Sequence, residues 1–479
     1  MKFSFIYSFA FLLFLVGCKD TISHEQAVSS EKPELNYDRD LAAAHYSEYC
    51  AGCHGAELRT FVDRDWVNGN SLGELVGSIT RGSSDHGMVA FDSTFTKNEI
   101  EGLARYILDG IKEVESEVAP EPLSTTYCST EDYELRVEEI VSDIEVPWGI
   151  KVREDGTMFF TERRGTLKIR RPNGLVNLIG NVPTVKNRGQ GGMMDVALHP
   201  DFDNNQILYL SYSKIHESDD GLYTTAVVRA KLSGYLLEDV QEIFEARPYA
   251  STRHHYGSRL VFDNDGYLYV SVGDRGNRDE NPQNVNNSCG KIHRINDDGS
   301  IPEDNPFVRV KGAVTSIWTY GNRNPQGMAY DSEHDLLWAN EHGPKGGDEI
   351  NLLEPGANYG WPVVSFGRNY TGTKFTDLTE KEGMNNSLTH WTPSIAPSGM
   401  CVVSGPQFEK WKGDLLSGSL KFNFISRVTQ SDGTFLEEEK ILEDIGRVRS
   451  IEMGADDYIY VGVEDPGRIF RIGVRQNDE

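Results

Sequence analysis

The sequence is poor in basic residues. Lysine and arginine together number 47, against 74 aspartate and glutamate residues in a chain of 479, so the formal net charge is −27. Binding to nucleic acid or to an anionic membrane surface requires a basic face, and this balance argues against both kinds of partner. A large negative charge also keeps an exported protein soluble, and this role is sufficient to explain the acidic composition.

The hydrophobic run at the N-terminus is too short to span a membrane. It covers residues 3–16, follows a positively charged start, and has no stop-transfer flank, so residues 1–17 are predicted to be an export signal. Leu-Val-Gly-Cys at residues 15–18 resembles a bacterial lipobox, after which Cys18 would become the lipidated N-terminus. The alternative is a plain secretory signal. Residues 18–37 are polar without apolar periodicity, as in a flexible tether. The prediction is a periplasmic or cell-surface protein, held to a bacterial membrane only by its lipid anchor.

Cysteine is scarce, and two of the six cysteines form the motif Cys50-Ala51-Gly52-Cys53-His54. Two cysteines separated by two residues and followed at once by histidine are typical of covalent haem c attachment. The thiols add across the haem vinyl groups, and the histidine becomes the proximal iron ligand. A zinc site would need four ligands, and no second Cys or His pair lies nearby. Cys50 and Cys53 are therefore predicted to carry haem c, and His54 to bind its iron.

The remaining cysteines, Cys128, Cys289 and Cys401, form an odd set once Cys18 and the haem pair are assigned. In an oxidising compartment they permit at most one disulfide. The sequence does not select its two members.

Residues 38–115 have the patterns of a small all-α domain around the haem motif. A helical segment at residues 41–49 leads into the motif, and apolar residues at helical spacing follow over residues 72–79. A third helix is predicted over residues 96–109, because it begins with a Thr-x-x-Glu capping box.

The loop over residues 82–91 resembles that of small class I cytochromes c, in which a methionine precedes Pro-Ala-Phe. Met88 matches this methionine, whereas Val89 stands in place of the proline. The resemblance implies that Met88 is the second iron ligand, with His86 as the alternative. Thioether ligation raises the reduction potential and favours electron transfer over oxygen binding.

The second part of the chain, residues 128–476, is rich in glycine and turns, and a unit of two apolar strands recurs in it six times. The predicted strand pairs are residues 157–161 with 167–170, 207–212 with 225–229, 267–272 with 292–295, 336–340 with 349–353, 415–420 with 424–428, and 458–463 with 468–472. Six irregular antiparallel units predict a mainly β fold, a six-bladed β-propeller, in preference to a β-sandwich. Residues 116–127 are predicted to be the linker between the two domains.

The long loops between the predicted strands should gather on one face of the propeller. They are rich in His, Arg, Gly and acidic residues, in the segments 188–192, 253–259, 321–327, 341–351, 358–362, 419–421 and 447–449. Cations from several blades can hold a polyanionic ligand, and a histidine among them can act as a general base. Backbone carbonyl and carboxylate oxygens are the ligands that calcium prefers.

Together these motifs resemble the soluble quinoprotein aldose and glucose dehydrogenase family. The resemblance extends from residue 146 to residue 472, and includes Gly-Gln-Gly-Gly…His-Pro-Asp-Phe at 189–202 and Tyr-Gly-Asn-Arg-Asn-Pro-Gln-Gly at 320–327. Asn-Tyr-Gly-Trp-Pro at 358–362 also matches. The aldose sugar dehydrogenases are the most similar branch. The resemblance implies a propeller that binds pyrroloquinoline quinone (PQQ) and calcium and oxidises aldose sugars.

The resemblance also implies roles for the matching residues. His255 would remove the proton from the sugar C1 hydroxyl while hydride passes from C1 to the quinone, and Arg323 would stabilise charge on the quinone oxygen. His254, the other histidine of the pair, stands where some members carry Asp or Asn. The implied PQQ contacts are Gln190, His255, Arg323, Asn324, Tyr370, Lys421, Arg447 and Arg449, of which the last three would pair with the PQQ carboxylates.

Two calcium ions are implied in the same way. The backbone carbonyls of Gly343 and Pro344 would hold one that polarises the quinone. Glu349 and the Tyr359 carbonyl match a second, structural calcium site.

The two halves together predict a PQQ-dependent aldose dehydrogenase that passes electrons to its own haem c and then to a respiratory acceptor. A tethered cytochrome makes this transfer intramolecular, so the linker sets its effective concentration. One alternative keeps the enzyme but changes the substrate to sorbosone or another pyranose. The other is a recognition propeller that no longer binds PQQ and carries an electron-transfer cytochrome.

Overall fold

The computed structural model describes residues 37–55, 58–61, 69, 71–83, 88–116 and 125–476. The predicted export signal, Cys18, nearly all of the tether, most of the linker and His86 lie outside the described residues. The expectations for them stay predictions.

Helices make up the regular structure of residues 39–116. They are α1 (Arg39–His45), α2 (Ala51–His54), α3 (Leu72–Arg81) and α4 (Lys97–Ser116), with a π-helical turn at Tyr46–Cys50 and a 3-10 turn at Leu58–Phe61. They pack around Tyr46, Leu75, Ile79, Leu103 and Ile107, all buried. No helix among the described residues is long and apolar enough to cross a membrane.

Two of these helices begin with a capping box. In the predicted box, Thr96 N donates to the Glu99 carboxylate (2.7 Å), and Glu99 N donates to Thr96 Oγ1 (3.4 Å). Ser71 and Glu74 make the same reciprocal pair before α3, although its pattern was not recognised in the sequence. Each box satisfies backbone N–H groups that a helix start leaves unpaired. α4 continues to Ser116, past the predicted end at residue 109.

Within residues 125–476, the described strands form six antiparallel sheets. In chain order they are β1 (Thr125–Ser129), β2 (Glu134–Ile144), β3 (Pro147–Val152), β4 (Met158–Glu162), β5 (Thr166–Arg170), β6 (Val176–Ile179), β7 (Met193–Leu198), β8 (Ile207–His216) and β9 (Asp219–Ser233). Next come β10 (Leu236–Glu245), β11 (Leu260–Phe262), β12 (Leu268–Val272), β13 (Lys291–Ile295), β14 (Ile317–Tyr320), β15 (Pro325–Asp331), β16 (Leu336–Glu341) and β17 (Asp348–Leu352). The last are β18 (Thr389–Trp391), β19 (Pro397–Val402), β20 (Leu415–Ser419), β21 (Ile425–Ser431), β22 (Thr434–Ile441), β23 (Arg447–Met453), β24 (Ile459–Glu464) and β25 (Gly467–Val474). Two short helical segments, α5 (Phe202–Asn205) and a 3-10 turn at Pro406–Trp411, lie in their loops.

Five sheets each contain four consecutive strands, from β3–β6 to β19–β22, and the sixth combines both ends of the propeller sequence. In the sixth the order is β1-β2-β25-β24-β23, and Val137 of β2 lies opposite Ile472 of β25. Early strands therefore complete the last blade and close the ring. The predicted fold class, a mainly β six-bladed propeller preceded by a small all-α domain, is confirmed. Both parts belong to one compact unit, Asp38–Glu479.

The blades are held together by apolar layers between neighbouring sheets. Every residue of β12 and β13 is buried, because both faces of these middle strands are covered. Trp338 and Ile350 of one blade pack with Met400 and Leu415 of the next. Polar side chains are also buried inside some strands, such as His293 in β13, whose ring nitrogens bond to Ser316 and to the Ser288 carbonyl.

The three cysteines of the propeller form no disulfide with one another. Cys289 and Cys401 are buried, and burial raises the pKa of the Cys289 thiol to about 11. Such thiols are inert, so their role is packing.

Candidate active site

His255, Asp274 and Arg323 lie on neighbouring loops at one end of the propeller. His255 precedes β11, Asp274 follows β12, and Arg323 precedes β15. Because neighbouring strands are antiparallel, the start of β11, the end of β12 and the start of β15 lie at the same end of the propeller. The loops are joined directly, since Asp274 N donates to the Arg323 carbonyl (2.7 Å).

His255 and Asp274 form a hydrogen-bonded pair. The distance from His255 Nδ1 to Asp274 Oδ1 is 2.7 Å. The same carboxylate accepts hydrogen bonds from Gly276 N (2.8 Å) and from Trp361 Nε1 (2.9 Å). Burial opposes ionisation of Asp274, but the hydrogen bonds from His255 and Gly276 and the charge of Arg323 hold its pKa well below the ordinary value. An ionised Asp274 assigns the proton to Nδ1 of His255 and leaves Nε2 to accept one.

The His255 imidazole is neutral at neutral pH. Burial lowers its pKa, the charge of Arg323 lowers it further, and Asp274 only partly opposes them. A neutral imidazole with an accessible Nε2 is a suitable general base. The ring of His254 stands perpendicular to it at a centroid distance of 4.4 Å. Burial lowers the pKa of His254 to about 2, so this second histidine stays uncharged.

The His255 backbone is held in an uncommon conformation. Its φ of 56° lies in the left-handed region, and its N–H donates to Gln190 Oε1 (2.8 Å). Asn324 Oδ1 accepts from Gly257 N (3.2 Å), which fixes the same loop. Gly273 makes this approach possible, because a Cβ atom there would lie 2.3 Å from the His255 carbonyl oxygen. The structure thus brings Gln190, Asn324 and His255 together.

Arg323 is buried beside this pair, with only 7% of its surface exposed. Its Nη1 donates to the His342 carbonyl (3.0 Å), and its guanidinium lies 5.4 Å from the centre of the Trp361 ring. Burial raises the pKa of Tyr370, and the nearby charge of Arg323 opposes this effect. Arg323 forms no ion pair with a carboxylate of the described residues. A buried positive charge stabilises negative charge that develops nearby.

Three further cations lie at the same end of the propeller. Arg447 and Arg449 lie at the start of β23, and each donates from Nε to the carboxylate of Glu464 at the end of β24. Lys421 is also buried, and within the described residues its ammonium group has no hydrogen-bond or ion-pair partner, only the Phe422 ring at 4.9 Å. Burial lowers the pKa of Lys421 accordingly. An anionic ligand would satisfy it.

Asn324 supplies a second unsatisfied group in this region. Its Nδ2 is buried without a hydrogen-bond partner among the described residues. Buried polar atoms are normally paired, so an orphaned donor in a loop cluster indicates a place for a ligand acceptor. The groups at this end of the propeller therefore fit an anionic cofactor with acceptor oxygens, such as PQQ.

The loop that carries Gly343 and Pro344 is fixed by Asp348. Gly343 N donates to Asp348 Oδ1 (2.8 Å), and Ser394 Oγ bonds both to Asp348 and to the Pro344 carbonyl. Burial raises the pKa of Asp348 to about 6. The Pro344 carbonyl lies next to a carboxylate, a donor set of the kind that calcium takes.

Glu341 and Glu349 are neighbouring acids on paired strands, of which Glu341 is buried and Glu349 is half-buried. Burial raises the pKa of Glu341 to about 7, and burial together with the charge of Glu341 raises that of Glu349 well above its ordinary value. A cation would stabilise both carboxylates. No group of three His, Cys, Asp or Glu side chains in the described part of the chain is arranged to hold a metal, so a calcium ion here would need backbone oxygens such as that of Tyr359.

The haem motif lies on one helical turn in the small domain. Cys50 and Cys53, three residues apart, share a helix face, and the His54 ring stacks on Phe61 at a centroid distance of 5.0 Å. Met88 packs against the same apolar cluster as Cys50 and Phe61. Its backbone is paired with Ser83, from Met88 N to the Ser83 carbonyl at 3.0 Å. Cys50, Met88 and, through Phe61, the His54 ring thus lie at one apolar core, whereas Cys53 is exposed.

Three residues of this region were not identified from the sequence. They are Asp274, Trp361 as its hydrogen-bond donor, and Glu464 between two arginines. Asp274 and Glu464 share one signal, an acid at the end of an apolar strand, where a carboxylate reaches the loop face. That signal is weak without the fold.

Two family models match the chain. The glucose/sorbosone dehydrogenase model matches residues 144–471, and the model for subunit III of cbb3-type cytochrome c oxidase matches residues 38–107. The first covers nearly all of the propeller, and the second covers the haem motif and its helices.

Characterised relatives and solved structures match the propeller. The aldose sugar dehydrogenase YliI of Escherichia coli is 38% identical over 349 residues, which cover 71% of this chain and 93% of that protein. Quinoprotein glucose dehydrogenase B of Acinetobacter calcoaceticus is 31% identical over 323 residues, 61% of this chain and 65% of that protein. The apo-form crystal structure of the soluble aldose sugar dehydrogenase from Escherichia coli superposes with a TM-score of 0.68 at 35% identity, covering 71% of this chain and 100% of that one. The chain therefore belongs to the glucose/sorbosone dehydrogenase family, with a cytochrome c domain ahead of the family's propeller.

Proposed function

We propose that the protein oxidises the C1 hydroxyl of an aldose sugar with PQQ and passes the electrons to haem c on its own N-terminal domain. The observation that carries this proposal is the His255–Asp274 pair beside the buried guanidinium of Arg323. Oxidation of a C–OH group by hydride transfer requires a base for the hydroxyl proton and a cation near the hydride acceptor.

The chain's residues fit PQQ as an anionic ligand. Lys421, Arg447 and Arg449 would hold its carboxylates, and Asn324, Gln190 and Tyr370 would contact it. The unpartnered ammonium of Lys421 and the orphaned Nδ2 of Asn324 support this assignment. The quinoprotein relative described above supports the same cofactor.

When bound, PQQ supplies a two-electron acceptor and haem c supplies a one-electron acceptor. His255 takes the proton of the sugar hydroxyl at Nε2. Asp274 holds the ring in position and stabilises the imidazolium that forms. The guanidinium of Arg323 would stabilise the negative charge that develops on the hydride acceptor while His255 takes the proton. The burial of this group excludes water and strengthens each of these interactions.

Calcium belongs to the same proposal. The carbonyls of Gly343 and Pro344 would hold one ion at the cofactor, and Glu349 with the Tyr359 carbonyl would hold a structural ion. The raised pKa values of Asp348 and Glu349 support a nearby cation.

The haem assignment rests on the attachment motif and on the apolar core to which Cys50 and Met88 belong. Cys50 and Cys53 would form the thioether bonds, and His54 and Met88 would ligate the iron. We further propose export and lipid anchoring through Cys18, with a respiratory electron acceptor outside the cytoplasm.

The substitution His255→Asn tests the proposal. We expect aldose oxidation by the PQQ- and calcium-loaded protein to fall about 10²–10⁴-fold, the range for a lost general base. The haem absorbance spectrum should stay unchanged, since His255 is not among the residues that would attach or ligate the haem. Haem reduction after sugar addition measures the first property, and a chemical reductant measures the second.

His334→Asn is the matched control, because His334 pairs with Asp331 at the surface between β15 and β16. Its turnover should equal that of the unchanged protein. Unchanged turnover in His255→Asn would remove His255 from the mechanism.

A further inference from the structure

The haem-attachment segment of the small domain is in direct contact with the propeller. Lys345 Nζ lies 2.6 Å from Glu48 Oε1 and 4.0 Å from the centre of the Tyr49 ring. Glu48 and Tyr49 immediately precede Cys50. Lys345 immediately follows Pro344, in the loop fixed by Asp348. One lysine thus joins the haem motif to a loop of the candidate active site.

A second contact lies at the other end of the motif. Arg447 Nη2 is 3.5 Å from the Cys53 carbonyl oxygen. Two propeller residues thus contact the haem-attachment segment, Lys345 at its start and Arg447 at Cys53.

The charges across this contact are complementary. Glu48 is close enough to Lys421 to oppose the effect of burial on its pKa, in addition to its ion pair with Lys345. The small domain thus presents a carboxylate to two lysines of the propeller. Complementary charges of this kind fix the orientation of one surface on another.

We propose that residues 48–53 and the propeller residues Lys345, Lys421 and Arg447 form a haem-docking interface, held by the Glu48–Lys345 ion pair. The interface seats the haem-attachment segment directly on the cofactor-binding loops. Its role in electron transfer rests on the proposed function. Two electrons leave the sugar in each turnover, and the single haem carries them one at a time to the external acceptor. Lys345 and Glu48 are positioning residues, since neither is placed at the reacting atoms.

A charge-swap series on the full haem- and PQQ-loaded chain tests the interface. The variants are Glu48→Lys, Lys345→Glu and the double variant with both changes. Each single variant puts like charges opposite one another, and we expect it to slow haem reduction by D-glucose about tenfold. The double variant should recover most of that rate, because the pair is restored in reverse. Turnover with a small dye acceptor, phenazine methosulfate, should stay within about twofold throughout, since the dye bypasses the haem.

Hydrogen exchange on the same proteins, without any sugar, gives a readout that is independent of catalysis. Amides of residues 47–54 and 343–349 should exchange faster in both single variants and recover in the double variant. Asp92→Lys is the matched control, since Asp92 is an exposed acid of the small domain outside the interface. It should change neither exchange nor haem reduction.

Three results would overturn the interface. They are single variants that leave both exchange and haem reduction unchanged, a double variant no better than the singles, and loss of dye-linked turnover in Glu48→Lys. The last would mean that Glu48 serves the cofactor pocket itself. If the unchanged protein oxidises no sugar with any acceptor, the proposed function fails, and the exchange measurements still decide on the interface.

Discussion

Asp274 determines which nitrogen of His255 carries the proton. Its carboxylate holds Nδ1 at 2.7 Å and is itself fixed by Trp361 and Gly276. Resemblance to known motifs was sufficient to single out His255 and Arg323, because each stands in a recognisable string of residues. Asp274 has no such string, and its importance follows from a contact that only the folded chain makes. A lone acid after an apolar strand could not be distinguished from an ordinary turn residue.

Replacing Asp274 by asparagine should change both the rate and its pH dependence. Asp274 opposes the lowering of the His255 pKa, so Asp274→Asn lowers that pKa further. The basic form of His255 exists above its pKa, and the acid limb of kcat/KM should therefore move to lower pH. Its maximum should fall about 10²–10⁴-fold, because the imidazole is no longer held in its tautomer. A kcat/KM profile against pH measures both effects.

Asp279→Asn is the control for this profile, since Asp279 lies on the same loop and is largely exposed. Its profile should match that of the unchanged protein. An acid limb in Asp274→Asn that stays in place or moves to higher pH would contradict the role of Asp274.

At the scale of elements, the middle two strands of each blade were predictable and the outer ones were not. Residues 267–272 and 292–295 were predicted, and β12 and β13 are buried on both faces. β12 is a nearly continuous apolar run, whereas β13 contains Lys291, His293 and Arg294 beside its two isoleucines. The inner strand β15 contains Pro325 and Gly327, which weaken any strand signal. The outer strand β22 is almost entirely exposed and carries a run of glutamates. Such strands are specified by their neighbours more than by their own residues.

The ends of β23 and β24 depend on one buried carboxylate. Glu464 is fully buried and bonds to Arg447 and Arg449, whose side chains are 7% and 9% exposed. Glu464→Gln leaves two buried guanidinium groups without its charge and should destabilise the propeller by about 3 kcal/mol. The shift of the thermal unfolding midpoint, followed by circular dichroism, measures this loss.

Glu437→Gln on the exposed strand β22 is the matched control and should leave the midpoint unchanged. Equal midpoints for the two variants would show that the arginines are satisfied without Glu464.

For the whole molecule, the ring depends on strands from the two ends of the propeller sequence. Val137 of β2 is buried in one apolar cluster with Phe470 and Ile472 of β25. The six repeated units predicted the number of blades, but the repeat pattern did not indicate which strands close the ring. Residues 125–144 were passed over because they fall outside every repeated pair.

A charge placed in the apolar cluster between β2 and β25 should destabilise the pairing of these two strands. Val137→Asp puts a carboxylate into the apolar cluster, and we expect a loss of about 3 kcal/mol or more. The thermal midpoint and the yield of soluble protein both measure the result. Ser142→Asp, at an exposed position of the same strand, should leave both unchanged. A Val137→Asp protein with an unchanged midpoint would show that β2 is dispensable.

The closing strand also sets the order in which the protein is assembled. Glu138 of β2 and Arg471 of β25 form an ion pair although they are 333 positions apart in the chain. At ribosomal speeds, on the order of tens of seconds separate the synthesis of the two strands. During that interval the edge of β2 has no partner from the last blade and is exposed to other nascent chains. The helices before it pack mainly around their own apolar core and fold early. Haem attachment can therefore precede completion of the ring, and any chaperone for this protein would act longest on its earliest strands.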